Sequence, residues 1–144
     1  LPKFGVFPNQ PIYTVYLDMR KTTIDPARSW IFEYGALQET AQPNGSKNSS
    51  RSQQGIVLPF PVVREQPVLP AELVRKYLRR LVIVYCIVNI DGKMEQMLVK
   101  DSPDTLLNEP VLNALSKWVF RPAHLGGETV PMKLLLGIPL SLLQ

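Results

Sequence analysis

The dipeptide Asp91-Gly92 lies between two runs, residues 81–90 and 93–100, and it constrains the fold of this chain more than any other feature. A two-residue type I′ turn needs positive φ at both central positions, and Asp-Gly is one of the few pairs that accept it. The two runs are therefore predicted to form an antiparallel β-hairpin. The first run, LVIVYCIVNI, is apolar at odd and even positions alike. A strand with one wet face alternates, so this strand is expected to be central and covered on both sides. Helices are expected on one side, and strands from the N-terminal part of the chain are the obvious cover for the other.

The flanking segments supply those pieces. Pro70 suits the first turn of a helix over residues 70–79, where a missing N–H is no loss, and Leu73, Val74, Tyr77 and Leu78 give it an apolar stripe. Asn108 is predicted to cap a second helix with Glu109 and Pro110 in its first turn. Val111, Leu112, Leu115 and Trp118 make its buried stripe, and Arg121-Pro122 ends it. Gly126-Gly127 then opens a turn into a last strand over about residues 129–140, with Val130, Met132, Leu134, Leu136 and Ile138 on one side. Upstream, residues 11–19 alternate as a half-buried strand does, Asp25-Pro26 fits a turn, and residues 29–37 read as a second strand. Residues 55–64 read as a short strand that Pro59 and Pro61 confine to an edge. Residues 38–54, rich in Ser, Asn and Gln, offer almost nothing to a core and read as a mobile surface loop.

The expected class is α+β: a small antiparallel sheet with two helices on one face, plus extra N-terminal strands. Residues 1–66 read as a β-rich extension carrying the 38–54 loop, and residues 67–144 as the main domain. A length of 144 residues fits one compact domain with such an extension. No stretch approaches the ~20 apolar residues that a membrane-spanning helix requires. What precedes Leu1, whether a signal peptide, an anchor or a spanning helix, is left open.

The residues with reactive side chains form no catalytic pattern. Cys86 is the single cysteine, which excludes an internal disulfide, and its place in an apolar strand predicts an inert buried thiol. His124 is the single histidine, and Glu128 lies across a glycine turn from it without ligand spacing. There is no nucleophile elbow, phosphate loop or paired-carboxylate pattern, so no catalytic residue, cofactor or metal is assigned. Most of the net charge of +4 comes from Arg75, Lys76, Arg79 and Arg80. These complement the negative end of the first helix, whereas a nucleic-acid binder would carry a stronger basic stripe with stacking aromatics. Trp118 and Phe120 are expected to pack in the core rather than to anchor a partner.

The order helix, Asp-Gly hairpin, helix, Trp118-Val119-Phe120-Arg121-Pro122-Ala123, glycine turn and alternating strand resembles the TonB C-terminal domain family. The resemblance runs from about residue 67 to 140. It rests further on Leu107, Asn108, Val111, Leu112, Ala114, Gly127, Val130 and the closing Ile138-Pro139-Leu140. Arg79-Arg80 stands where family members commonly have a glycine before the first hairpin strand, and Asn108 where they commonly have an aspartate. The resemblance implies a three-stranded antiparallel core and a place in the periplasm or cell envelope of a double-membrane bacterium. It also implies energy transduction to transport, with membrane-motor partners reached through a region upstream of Leu1. The domain itself would bind a segment of an outer-membrane transporter by β-strand addition.

Carried onto this chain, the docking edge is the last strand: Thr129, Val130, Met132, Lys133, Leu134, Leu135 and Leu136. Thr129, Lys133 and Leu135 are expected on its outward side. The sequence leaves equally open that an N-terminal strand already covers this edge. The rival of another class is a non-catalytic structural subunit of a larger envelope or surface assembly. A free edge would also leave a homo-oligomer open.

Overall fold

The computed structural model describes residues 4–18, 29–37 and 55–140. The loop expected over residues 38–54 and the Asp25-Pro26 turn lie outside them. The five-stranded antiparallel sheet at the centre is built from β1 (Tyr13–Leu17), β2 (Trp30–Ala36), β5 (Leu81–Val88), β6 (Met94–Asp101) and β10 (Met132–Pro139), in the order β1-β2-β10-β5-β6. Between them in the chain come β3 (Ile56–Val57), β4 (Phe60–Val63), α1 (Ala71–Lys76), α2 (Asn108–Leu115), β7 (Val119–Arg121), β8 (Ala123–Leu125) and β9 (Glu128–Val130). These short strands form two small sheets, β3-β8-β9 and β4-β7. The class is α+β, as expected, with the β10-β5-β6 core widened by two N-terminal strands.

Residues of one parity on each central strand build the main core. Val82, Val84, Cys86 and Val88 of β5, Leu134, Leu136 and Ile138 of β10, and Trp30, Phe32 and Tyr34 of β2 all face Val74 of α1 and Val111 and Leu115 of α2. Both helices therefore cover the same face. The other parity meets a second cluster, where Ile83 and Leu135 are buried against Phe7, with Phe4, Val6, Ile12, Leu81 and Tyr85 around them. The expectation of two covered faces holds, but the identity of the second cover is corrected. The N-terminal strands lie in the plane of the sheet beside β10, and the turn-rich segment before β1 folds over its back.

Local details depart from the sequence reading for physical reasons. The helix expected over residues 70–79 ends at Lys76; Tyr77 leaves helical geometry (φ −118°, ψ 33°) and Arg79 is left-handed (φ 70°), turning the chain into β5. Leu78 consequently lies outside the buried stripe and is exposed. Asn108 does not cap α2. A 3-10 turn over Thr105–Leu107 precedes the helix, and Asp104 caps that turn by accepting the Leu106 N–H at 2.9 Å. Trp118 lies beyond the end of α2, because Val119 and Phe120 favour extended backbone and pair with β4. The strand expected over 129–140 breaks at Pro131, which separates β9 from β10. Leu58-Pro59 likewise separates β3 from β4.

The hairpin forms between β5 and β6 but not by a type I′ turn. Only Gly92 of the dipeptide has positive φ, 82°. Asn89 Oδ1 accepts the N–H groups of Asp91 and Lys93, both at 2.9 Å, and the Asn89 carbonyl accepts the Gly92 N–H. The loop is thereby three residues, Ile90 to Gly92, closed by a left-handed glycine. The two-residue turn with positive φ at both positions occurs instead at Gly126-Gly127 (61° and 85°), joining β8 to β9.

Candidate protein-binding edges

The residues expected to form a docking edge are divided by Pro131. Thr129 and Val130 lie on β9, which pairs with β8 on one side in a three-residue strand at the end of its small sheet. Met132, Lys133, Leu134, Leu135 and Leu136 lie on β10, which is paired on both sides. One side meets β5, in register from Met132↔Val88 to Pro139↔Leu81. The other meets β2, from Met132↔Ala36 to Gly137↔Ile31. The backbone groups that would recruit a partner strand are already bonded within the chain, so the open-edge reading of β10 is corrected.

The side chains expected on the outward side of β10 are occupied as well. Leu135 is fully buried beneath Phe7. The Lys133 ammonium donates to the Val6 carbonyl at 2.6 Å and lies 5.8 Å from the centre of the Phe7 ring. Gly35 of β2 makes room for the same ring, since a Cβ there would come within 2.5 Å of it. The Gln10 amide donates to the Ala36 carbonyl at 2.9 Å, fastening the segment to the end of β2. These contacts hold the N-terminal segment, β2 and β10 together as a unit.

With β10 enclosed, the main sheet has two outer strands, and they differ in kind. On β6, the pairing with β5 is interrupted twice, Gln96 is left-handed (φ 55°), and Glu95, Gln96, Lys100 and Asp101 line the strand. Bulges and charges of this sort are how edge strands avoid further pairing. On β1, each residue pairs in sequence with one of β2, from Tyr13↔Tyr34 to Leu17↔Trp30, without a register shift. Its sequence YTVYL holds no charge, proline or glycine. Tyr13, Val15 and Leu17 pack against the main core, whereas Thr14 and Tyr16 are exposed.

A model of the Gram-negative bacterial TonB protein C-terminal family matches residues 65–138, just over half of the chain. The chain belongs to this TonB C-terminal family. In Gram-negative bacteria the family is periplasmic, and its members interact with outer-membrane transporter proteins. Among solved structures, the chain is similar to the solution NMR structure of the Pseudomonas aeruginosa TonB C-terminal domain, at 23% identity and a TM-score of 0.48, over 60% of this chain and 88% of that one. No curated protein matches the sequence. Both β1 and β2 lie before the first residue matched to the TonB family.

The family's Trp-x-Phe-x-Pro-Ala stretch serves the interior here. Trp118 is buried, stacks on Trp30 at 5.2 Å between ring centres, and donates its indole N–H to the Glu65 carbonyl at 2.9 Å. Phe120 is buried beside it. The Cys86 thiol is fully buried, and burial pushes its pKa well above the ordinary value. His124 pairs across the small sheet with Thr129 and Val57. Among the described residues, no group of three or more His, Cys, Asp or Glu side chains is placed to hold a metal ion. Nor is any described helix long and apolar enough to cross a membrane.

Sequence reasoning missed the contrast between β1 and β6. The charges and their absence were visible, but the bulge at Gln96 and the place of β1 at the end of the sheet follow from pairing partners distant in sequence.

Proposed function

We propose that this protein is a periplasmic interaction domain that takes up an extended segment of an outer-membrane partner as an added β-strand, and that it performs no chemistry of its own. Membership of the TonB C-terminal family carries this reading. Physical support comes from the sheet, which is closed on both faces but ends in strands whose outer backbone groups have no neighbouring strand among the described residues. Main-chain hydrogen bonds at such an edge supply affinity with little demand on side-chain identity. Force or docking is then passed through the strand pairs to the rest of the sheet. Residues 1–66 are proposed to act as part of this module, since β1 and β2 extend its sheet.

A second reading has a specific observation in its favour. The enclosure of β10 by β2 removes the edge assigned by resemblance, as would suit a fixed structural subunit of an envelope assembly. Deletion of the gene, with uptake measured through the outer-membrane transporters of the same cells, separates the two. Loss of energy-dependent uptake, restored by the full-length protein, is expected for the transducing domain. Intact uptake with a weakened envelope would instead establish the subunit.

A further inference from the structure

Resting on the strand-addition reading, we propose that the docking edge is the outer side of β1, and that its occupant is an extended segment of another protein with apolar residues at every second position. The family-matched region, residues 65–138, supplies β10, but the chain places its own β2 against that strand and so moves the sheet's boundary outward to β1. The boundary on the other side is blunted by the two pairing irregularities, by left-handed Gln96 and by the charged residues of β6. β1 carries none of these protections, and its uninterrupted register with β2 leaves a straight row of backbone groups along its far side with no neighbouring strand among the described residues.

The side chains of β1 define what would fit beside it. Tyr13, Val15 and Leu17 are half-buried at the rim of the main core, so apolar residues of an added strand on that face would extend the core outward. On the opposite face Thr14 is exposed and Tyr16 is 65% exposed, which tolerates polar neighbours and offers one aromatic ring for contact. A segment alternating apolar and polar residues matches both faces at once.

The length of the edge favours a flexible segment over a second copy of this chain. Five residues span about 17 Å of strand. Edge pairing of that length between two folded bodies buries far less than the ~1,200 Å² typical of a stable complex. Two copies would also bring together like net charges of +4. An unfolded segment escapes both limits, because it can continue past the strand and can carry acidic residues at its ends.

The test is hydrogen exchange on the isotope-labelled full-length protein, with and without a blocked heptapeptide of alternating valine and threonine that ends in glutamate on both sides. Saturable binding that slows alternate amides of Tyr13–Leu17 and leaves Met94–Asp101 unchanged is the expected result. Tyr16→Glu should weaken binding about tenfold by placing a charge at the edge, whereas Tyr16→Phe and Leu98→Glu on β6 should not. Unchanged melting temperatures will show that these variants remain folded.

Slowing along β6, or along β10 with release of the β2 amides, would overturn the β1 assignment while leaving strand addition standing. Slow exchange of the outward-pointing β1 amides, those not bonded to β2, before any peptide is added would also overturn it; a concentration-dependent doubling of mass would then identify a second copy, and a constant mass the chain itself. Absence of saturable binding at any strand would overturn this assignment and the strand-addition reading together.

Discussion

Gly92 carries two constraints at once. Its φ of 82° is one that side chains with a Cβ rarely adopt, and a Cβ would overlap the Phe120 carbonyl. The glycine carbonyl also accepts the Phe120 N–H at 2.7 Å, tying the hairpin to β7. Gly92→Ala is therefore expected to destabilise the fold by about 3 kcal/mol or more, read as a lower denaturant midpoint. Trp118→Phe keeps an aromatic ring but removes the indole donor, leaving the Glu65 carbonyl without it. A loss of roughly 2 kcal/mol is expected in the same assay. Buried ionisable groups set an alkaline limit. Burial raises the pKa of Cys86 above its ordinary 9.0 and that of Tyr34 above its ordinary 10.0. In the unfolded chain each releases its proton near the ordinary value, while the folded chain retains it. Stability from this source is thus fully present below pH 9.0 and falls as pH rises beyond it, by up to about 1.4 kcal/mol per pH unit per group. Denaturant titrations between neutral and alkaline pH will read this slope, and Cys86→Ala should lessen it.

At the scale of elements, the N-terminal segment decides the character of the sheet. Phe7 covers Gly35, Ile83 and Leu135, and without that cover the back of the sheet would present an apolar surface to water. Gly35→Ala should displace the Phe7 ring and cost about 1–3 kcal/mol, as overpacked cores do. If that clash is the cause, the same substitution should cost less in a Phe7→Ala background, which a double-mutant cycle of unfolding energies will measure. Much of this element order was legible in the sequence. The alternation read from residue 11 onward, the double-sided apolar run that opens at residue 81 and the parity of Met132, Leu134, Leu136 and Ile138 mark strands with the expected faces, at Tyr13–Leu17, Leu81–Val88 and Met132–Pro139. Turn types were less legible. Asn89, by bonding the backbone of Asp91 and Lys93, selected a longer loop than Asp-Gly alone suggests. Helix ends were misplaced for a related reason: Asp104 competed with Asn108 for the capping role, and the pull of β7 pairing took Trp118 out of the helix.

For the whole molecule, the region matched by the family is embedded in a larger sheet. Trp30, Phe32 and Tyr34 of β2 complete the core that α1, α2, β5 and β10 build. A chain lacking residues 1–37 would lose those rings together with the cover over Leu135 and leave the β10 edge bare. It is expected to aggregate or to pair with itself, and size-exclusion chromatography with light scattering will show this. A truncated chain that remained monomeric with an unchanged melting temperature would mean that the remainder folds alone. The observed enclosure of β10 also changes what the family resemblance implies, because an edge in one member need not be an edge in another that carries additional strands.

The sequence by itself determined the α+β class, the hairpin, the faces of the central strands, the interior role of Trp118 and the family. These properties depend on periodicity, turn chemistry and a local motif, all of which operate over a few consecutive residues. Only the tertiary structure decided that β2 lies beside β10, that Phe7 packs on the back of the sheet, and that β1 and β6 are its outer strands among the described residues. Strand order arises from pairing between segments a hundred residues apart, and a strand's own alternation specifies which face is buried but not which neighbour it takes.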